Sequence, residues 1–150
     1  MDEHEFKKAR EGLNQYPCPF EKAILSSRCG CAKSQRLSIA ERETAACVSS
    51  AAQERCAVLL KQLYQNARFA LKQPRLAGPQ PHAQAMKVQC GGLLGLASVL
   101  SERAEVSAVE NIDALLILAA ETFGDLEDLP FSDIVKFISH YQVRAKRARS

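Results

Sequence analysis

Apolar positions along this chain recur at three- to four-residue spacing, the period of a helix face, within long stretches of Ala, Leu, Gln, Glu, Lys and Arg. The pattern predicts an all-α fold, a single-domain helical bundle of about five to six helices over residues 1–150 with a Cys-bearing N-terminal loop. An amphipathic stretch from Glu3 to Asn14 stops at Tyr16-Pro17-Cys18-Pro19, where two prolines force extended backbone. A short helical turn, Phe20 to Ser27, leads into Cys29-Gly30-Cys31. From Ser34 onward Leu37, Ala40, Thr44 and Cys47 fall on one predicted helical face, with Cys47 inward in the last turn.

Ser50 and Gln53 fit a capping box that opens the next helix. It should run to about Lys72 and bury Cys56, Leu60, Leu63, Ala67 and Leu71. Pro74, Gly78, Pro79 and Pro81 make a loop over 73–81, after which His82 to Ser101 reads as a helix loosened by Gly91, Gly92 and Gly95. Ser107 caps a helix from Ala108 to Phe123 whose Ile112, Leu115, Leu116, Leu118 and Ala119 predict central burial, and Gly124 ends it. A last helix opens at Ser132 and carries Ile134, Phe137, Ile138 and Tyr141 inward before a basic tail at 143–150.

Composition adds little to this picture. A chain of 150 residues buries enough surface to fold without disulfides, and 47% hydrophobic with 25% charged residues is the balance of a soluble globule. The charged N-terminus lacks an apolar signal region, and the longest apolar run, Ala114 to Ala120, is far short of the ~18 residues of a spanning helix. Both predict no membrane insertion and a reducing, cytoplasmic location. Net charge is +3, but residues 51–90 hold six Lys/Arg against Glu54 alone, and residues 101–133 hold nine Asp/Glu against Arg103 alone. Such asymmetry suits docking to a charged partner as well as it suits solvated helix faces.

The cysteines change the picture most. Cys18, Cys29, Cys31, Cys47 and Cys56 fall within 39 positions, and Cys90 makes six. In a reducing compartment disulfides do not persist, so this density points to metal ligation or thiol redox chemistry in region 16–56. No C-x-x-C pair is present, which weakens zinc-ribbon, ferredoxin and thioredoxin readings. On one continuous helix Cys47 and Cys56 would stand ~13.5 Å apart and half a turn out of phase, so a shared centre requires a break near Ser49-Ser50.

Cys29-Gly30-Cys31 can offer two sulfurs to one polynuclear centre, and Cys18-Pro19 is a step found at the end of bacterial ferredoxin motifs. The candidate ligands are therefore Cys18, Cys29, Cys31, Cys47 and Cys56, with Cys90, before the amides of Gly91-Gly92, as a possible replacement. Arg28, Lys33, Arg36 and Arg55 lie within five positions of a cysteine, where positive charge favours thiolate. The expectation is an iron-sulfur cluster, 4Fe-4S ahead of 2Fe-2S, serving electron transfer or redox sensing with a protein redox partner, not catalysis on a small substrate. One alternative is a single Zn in a regulatory or nucleic-acid-binding domain whose basic tail makes the contact. The other is a helical adaptor with buried free thiols, in which Cys56 is ordinary core.

Other chemistry has little support. His4, His82 and His140 are scattered, and only His82, eight residues before Cys90, is worth following. There is no phosphate loop, no H-E-x-x-H and no G-x-S-x-G. Asp125, Glu127, Asp128 and Asp133 do not match a calcium loop and read as a solvated connector. The run Arg144 to Arg149 lacks the aromatic residues that stack on single-stranded nucleic acid.

Overall fold

The segment expected as a helix from Ser34 to Cys47 is a β-hairpin, so the fold is mixed and not all-α. A computed structural model describes residues 16–70, 82–101, 106 and 108–142. The expected helix from Glu3 to Asn14, His4, the 73–81 loop, the Ser107 cap and the basic tail lie outside the described residues. Strands β1 (Ser34–Ile39) and β2 (Arg42–Cys47) pair antiparallel, from Ser34 opposite Cys47 to Ile39 opposite Arg42. The turn is Ala40-Glu41, with φ of 51° and 68°. Left-handed dihedrals at both central positions match the twist of the flanking strands, but such turns are normally announced by Asn-Gly or Asp-Gly. Here neither residue announces it. The helix-spaced set consequently splits, with Leu37 opposite Thr44 on one face of the ladder and Cys47 opposite Ser34 on the other.

A third extended segment joins the hairpin. Pro17 bridges Ala46, the Cys18 amide donates to Ala45 O at 3.0 Å, and the Cys47 amide donates to Tyr16 O at 2.7 Å. Proline suits this edge position because it has no amide to offer a ladder. Helix α1 (Glu21–Leu25) follows, and Glu21 Oε1 accepts the Ala45 amide at 2.8 Å. Phe20, Ala23 and Ile24 are buried beneath it.

Helix α2 (Ser50–Ala70) begins where the sequence indicates, with the cap one residue earlier. Ser49 Oγ accepts the Ala52 amide at 3.2 Å and Ser49 O accepts the Gln53 amide at 3.0 Å, whereas the Gln53 side chain donates to Pro17 O at 3.3 Å. The buried stripe is Ala52, Cys56, Leu59, Leu63 and Ala67, with Leu59 inside in place of the expected Leu60.

Helix α3 (His82–Met86), a π-helical turn (Lys87–Gly91) and α4 (Gly92–Leu100) form one continuous rod. It packs against α6 (Phe131–His140) at glycines. A Cβ on Gly91 would lie 2.8 Å from Ile138 Cα, and one on Gly95 2.9 Å from Ile134 O. Helix α5 (Ile112–Phe123) buries Ile112, Leu116 and Ala119 but leaves Ile117 and Leu118 at the surface, so it is not central. Gly124, at φ 88°, ends it, and a 3-10 turn (Leu126–Asp128) carries the acidic connector. Phe137, expected inside, is 40% exposed. Residues of α1, β2 and every long helix share one core, including Phe20, Ala45, Leu59, Leu93, Leu116 and Ile138. Among the described residues no helix is long and apolar enough to cross a membrane.

Candidate thiol sites

Six free cysteines divide into a group of four and a pair. The four come from separate elements. Cys18 sits on the strand-like edge opposite Ala45, Cys31 opens the turn into β1, Cys47 closes β2, and Cys56 lies two turns into α2. The turn at Val48 and Ser49, held by Val48 N donating to Lys33 O at 2.8 Å, swings α2 back over the hairpin. That break brings Cys47 and Cys56 to one region, as their spacing required, although a strand and not a helix precedes it.

Electrostatics tie these four together. Burial pushes the Cys18 thiol up to about 12, opposed by the Phe20 amide and reinforced by the charges of Cys31, Cys47 and Glu21. The Cys56 thiol is also pushed up, first by burial and then by Cys18, Cys31, Cys47 and Asp113. The charges of Cys31 and Cys47 thus disfavour the ionised form of both Cys18 and Cys56.

Two backbone amides already point at the sulfurs. The Lys33 amide donates to Cys31 Sγ at 3.4 Å, and the Phe20 amide does the same for Cys18, each from two residues downstream. Amide donors of this kind stabilise thiolate and tune bound metals. The Cys47 thiol donates to Ser49 O at 3.1 Å, giving its proton a partner that a metal would replace. Among the described residues no three Cys, His, Asp or Glu side chains form a ready-made shell for a single ion.

Cys29 is not among the charges that act on Cys18 and Cys56. It bridges Val109, while Gly30 is clamped by its amide to Val109 O and its carbonyl to the Ile112 amide, both at 2.9 Å. A Cβ at Gly30 would lie 2.8 Å from Glu110 O, so only glycine allows this approach. The clamp directs Cys29 into the core, where its thiol hydrogen-bonds Cys90 on the π-turn.

Cys90 is only 1% exposed, yet its sulfur meets polar groups. The Cys29 thiol and then the Tyr141 hydroxyl hydrogen-bond it, and the Tyr141 hydroxyl in turn accepts from Arg28 Nη1 at 2.7 Å. These contacts pull the Cys90 thiol down to about 7 against the opposing effect of burial. Cys29 is driven up, mainly by its hydrogen bond to Cys90 and by burial. The neighbouring Gln89, also buried, accepts the Ala23 amide at 3.1 Å and ties the π-turn to α1.

The basic flanks serve other purposes than expected. Arg28 feeds the Tyr141 relay, Arg36 pairs with Glu43 at 3.2 Å and holds Ile24 O, and Arg55 pairs with the buried Asp113 at 3.0 Å. His82 faces Lys22 at 3.2 Å, and His140 contacts Lys136 O at 2.7 Å. The contacts of Tyr141 with Arg28 and of Gln89 with the Ala23 amide are long-range and carry no spacing signal in the sequence. No protein-family model matches this chain, and no curated protein or solved structure does either.

Proposed function

We propose that Cys18, Cys31, Cys47 and Cys56 hold an iron-sulfur cluster, and that the protein acts in electron transfer or redox sensing with a protein partner in a reducing, cytoplasmic setting. The observation that carries this reading is that the charges of Cys31 and Cys47 act on both Cys18 and Cys56, four cysteines drawn from four separate elements. A tetrahedral zinc would need its sulfurs only ~3.8 Å apart, given Zn–S bonds of about 2.3 Å. A polynuclear cluster spreads its thiolates over different irons, which suits four cysteines that come from four separate elements.

When bound, such a cluster supplies one-electron redox chemistry. The chain's own residues supply the rest. Burial of Cys56 and half-burial of the other three limit water at the sulfurs, the Phe20 and Lys33 amides donate to Cys18 and Cys31, and Asp113 is neutralised by Arg55. The 4Fe-4S form uses four thiolates, the number in this group.

Anaerobic reconstitution of the full chain, followed by visible absorption and iron and acid-labile sulfide analysis, tests the proposal. A brown protein with matched iron and sulfide is expected. A colourless protein binding one zinc and no iron would instead make the site a structural zinc site, and a protein binding neither would refute metal ligation.

A further inference from the structure

The hairpin leaves one strand edge open, and the hydrogen bonds on its other side fix which groups lie along that edge. On β2, Ala45 O accepts from Cys18 and the Cys47 amide donates to Tyr16 O, so the backbone of Ala45 and Cys47 faces the Pro17 segment. Backbone direction alternates along a strand, so Arg42, Thr44 and Ala46 face β1 and pair there with Ile39, Leu37 and Gln35. Arg36 and Ser38, the β1 residues between them, therefore turn their amides and carbonyls away from β2. Among the described residues nothing meets these groups, and β1 packs closely against no described element but β2.

An open edge is normally blunted by proline, a bulge or an outward charge. Strand β1 has no proline, and its register runs unbroken from Ser34 opposite Cys47 to Ile39 opposite Arg42. Its one charged side chain, Arg36, is tied down within its own chain: Nη1 pairs with Glu43 at 3.2 Å, and Nη2 donates to Ile24 O at 2.9 Å and to Ser27 Oγ at 3.2 Å. The exposed neighbours Gln35 and Ser38 are neutral. None of the usual guards stands along this edge.

We propose that β1 is the dimerisation edge of this protein and pairs antiparallel with β1 of a second copy. Charge and geometry select the register. Symmetry centred on Arg36 would set the two arginines directly opposite each other, where like charges are destabilising. Centring on Gln35 would set Arg36 opposite Ser34, whose amide is already given to Cys31 O at 3.2 Å, and centring on Ser38 would set it opposite Ala40, a turn residue at φ 51°. Symmetry centred on Leu37 instead sets Arg36 opposite Ser38 in both directions, so each pair exchanges two hydrogen bonds and every outward backbone group of both residues is used. It also brings the two half-buried Leu37 side chains together at the close, non-hydrogen-bonded position. The two hairpins then join into one sheet by strand addition. No cysteine takes part, so the pairing stands whether or not the four-thiol proposal holds.

Sedimentation equilibrium of the full chain under reducing conditions, joined to hydrogen exchange at the two ends of the concentration range, tests the proposal. A reversible monomer–dimer equilibrium is expected, in which the Arg36 and Ser38 amides exchange fast in the monomer and at least about tenfold more slowly in the dimer, while the Leu37 amide, bonded within the hairpin, is slow in both. Ser38→Pro removes one interchain donor per copy but no ladder bond of its own hairpin, and should weaken association by at least about tenfold. Ser38→Lys sets a cation opposite Arg36 of the second copy while facing Glu43 in its own hairpin, and should weaken association likewise, independently of how the proline variant folds. A chain that stays monomeric at the highest concentration, a dimer that Ser38→Lys leaves intact, or a dimer whose Arg36 and Ser38 amides still exchange fast would overturn the proposal.

Discussion

Cys29 and Cys31 are two residues apart, yet they belong to sites of opposite electrostatic character. Around Cys31, Cys18 and Cys56 are pushed up first by burial and then by the charges of Cys31 and Cys47, and Arg55 pairs with Asp113. Around Cys29 a cation is wired in: Arg28 reaches Cys90 through Tyr141, and the two thiols are driven in opposite directions by the hydrogen bond they share. On the proposed function, a bound metal would offset the charge of the four thiols. The divider is Gly30, clamped between Val109 and Ile112 so that the chain delivers one sulfur to each side.

The largest effect should come from breaking the division directly. Cys31→Ser or Cys56→Ser is expected to abolish retention of iron, with affinity falling at least about tenfold, while Cys29→Ser and Cys90→Ser retain it. Iron and sulfide content of the purified variants checks this. Equal loss in all of them would merge the two sites into one.

A pH series sharpens the comparison from the stability side. Cys18 and Cys56 hold their protons more tightly in the folded chain than the ordinary thiol value of 9.0. Above that pH the metal-free native state binds more protons than the unfolded state, so its stability is intact below about 9 and falls as pH climbs toward 12. Urea unfolding at a series of pH values measures it. With a metal bound the same thiols are already deprotonated, so this decline should disappear and affinity should weaken at acid pH.

Next in size is Gly91→Ala, which would press a methyl group against Ile138 Cα and force the π-turn away from α6. A loss of about 1–3 kcal/mol is expected from urea unfolding, as for other overpacked contacts, with unchanged iron content. The smallest expected effect is a gain. Glu41→Gly removes a side chain from a residue at φ 68° and should stabilise the hairpin by about 0.5–1 kcal/mol in thermal or urea unfolding.

That last variant also explains where the sequence was hard to read. The α2 stripe, the stop at Gly124 and the prolines around Cys18 were legible because each has a local physical cause. The hairpin was not, because Leu37, Ala40 and Thr44 match a helical period while the left-handed turn is built from Ala and Glu. The exposed faces of α5 and α6 were overestimated as core for a related reason: apolar content alone does not tell which side of a short helix meets the bundle. The chain break after Val48, expected from Ser49 and Ser50, is present, although a strand and not a helix precedes it. Assigning Cys29 away from Cys31 needed long-range information, namely the contact of Gly30 with Val109 and the π-turn that carries Cys90.

The most direct measurement of the central claim is iron K-edge X-ray absorption on the anaerobically reconstituted full chain, compared with Cys56→Ser. An all-sulfur first shell with iron–iron scattering, altered or lost in the variant, is the expected result. Nitrogen or oxygen ligands in place of sulfur, or a spectrum unchanged in Cys56→Ser, would contradict a cluster held by Cys18, Cys31, Cys47 and Cys56.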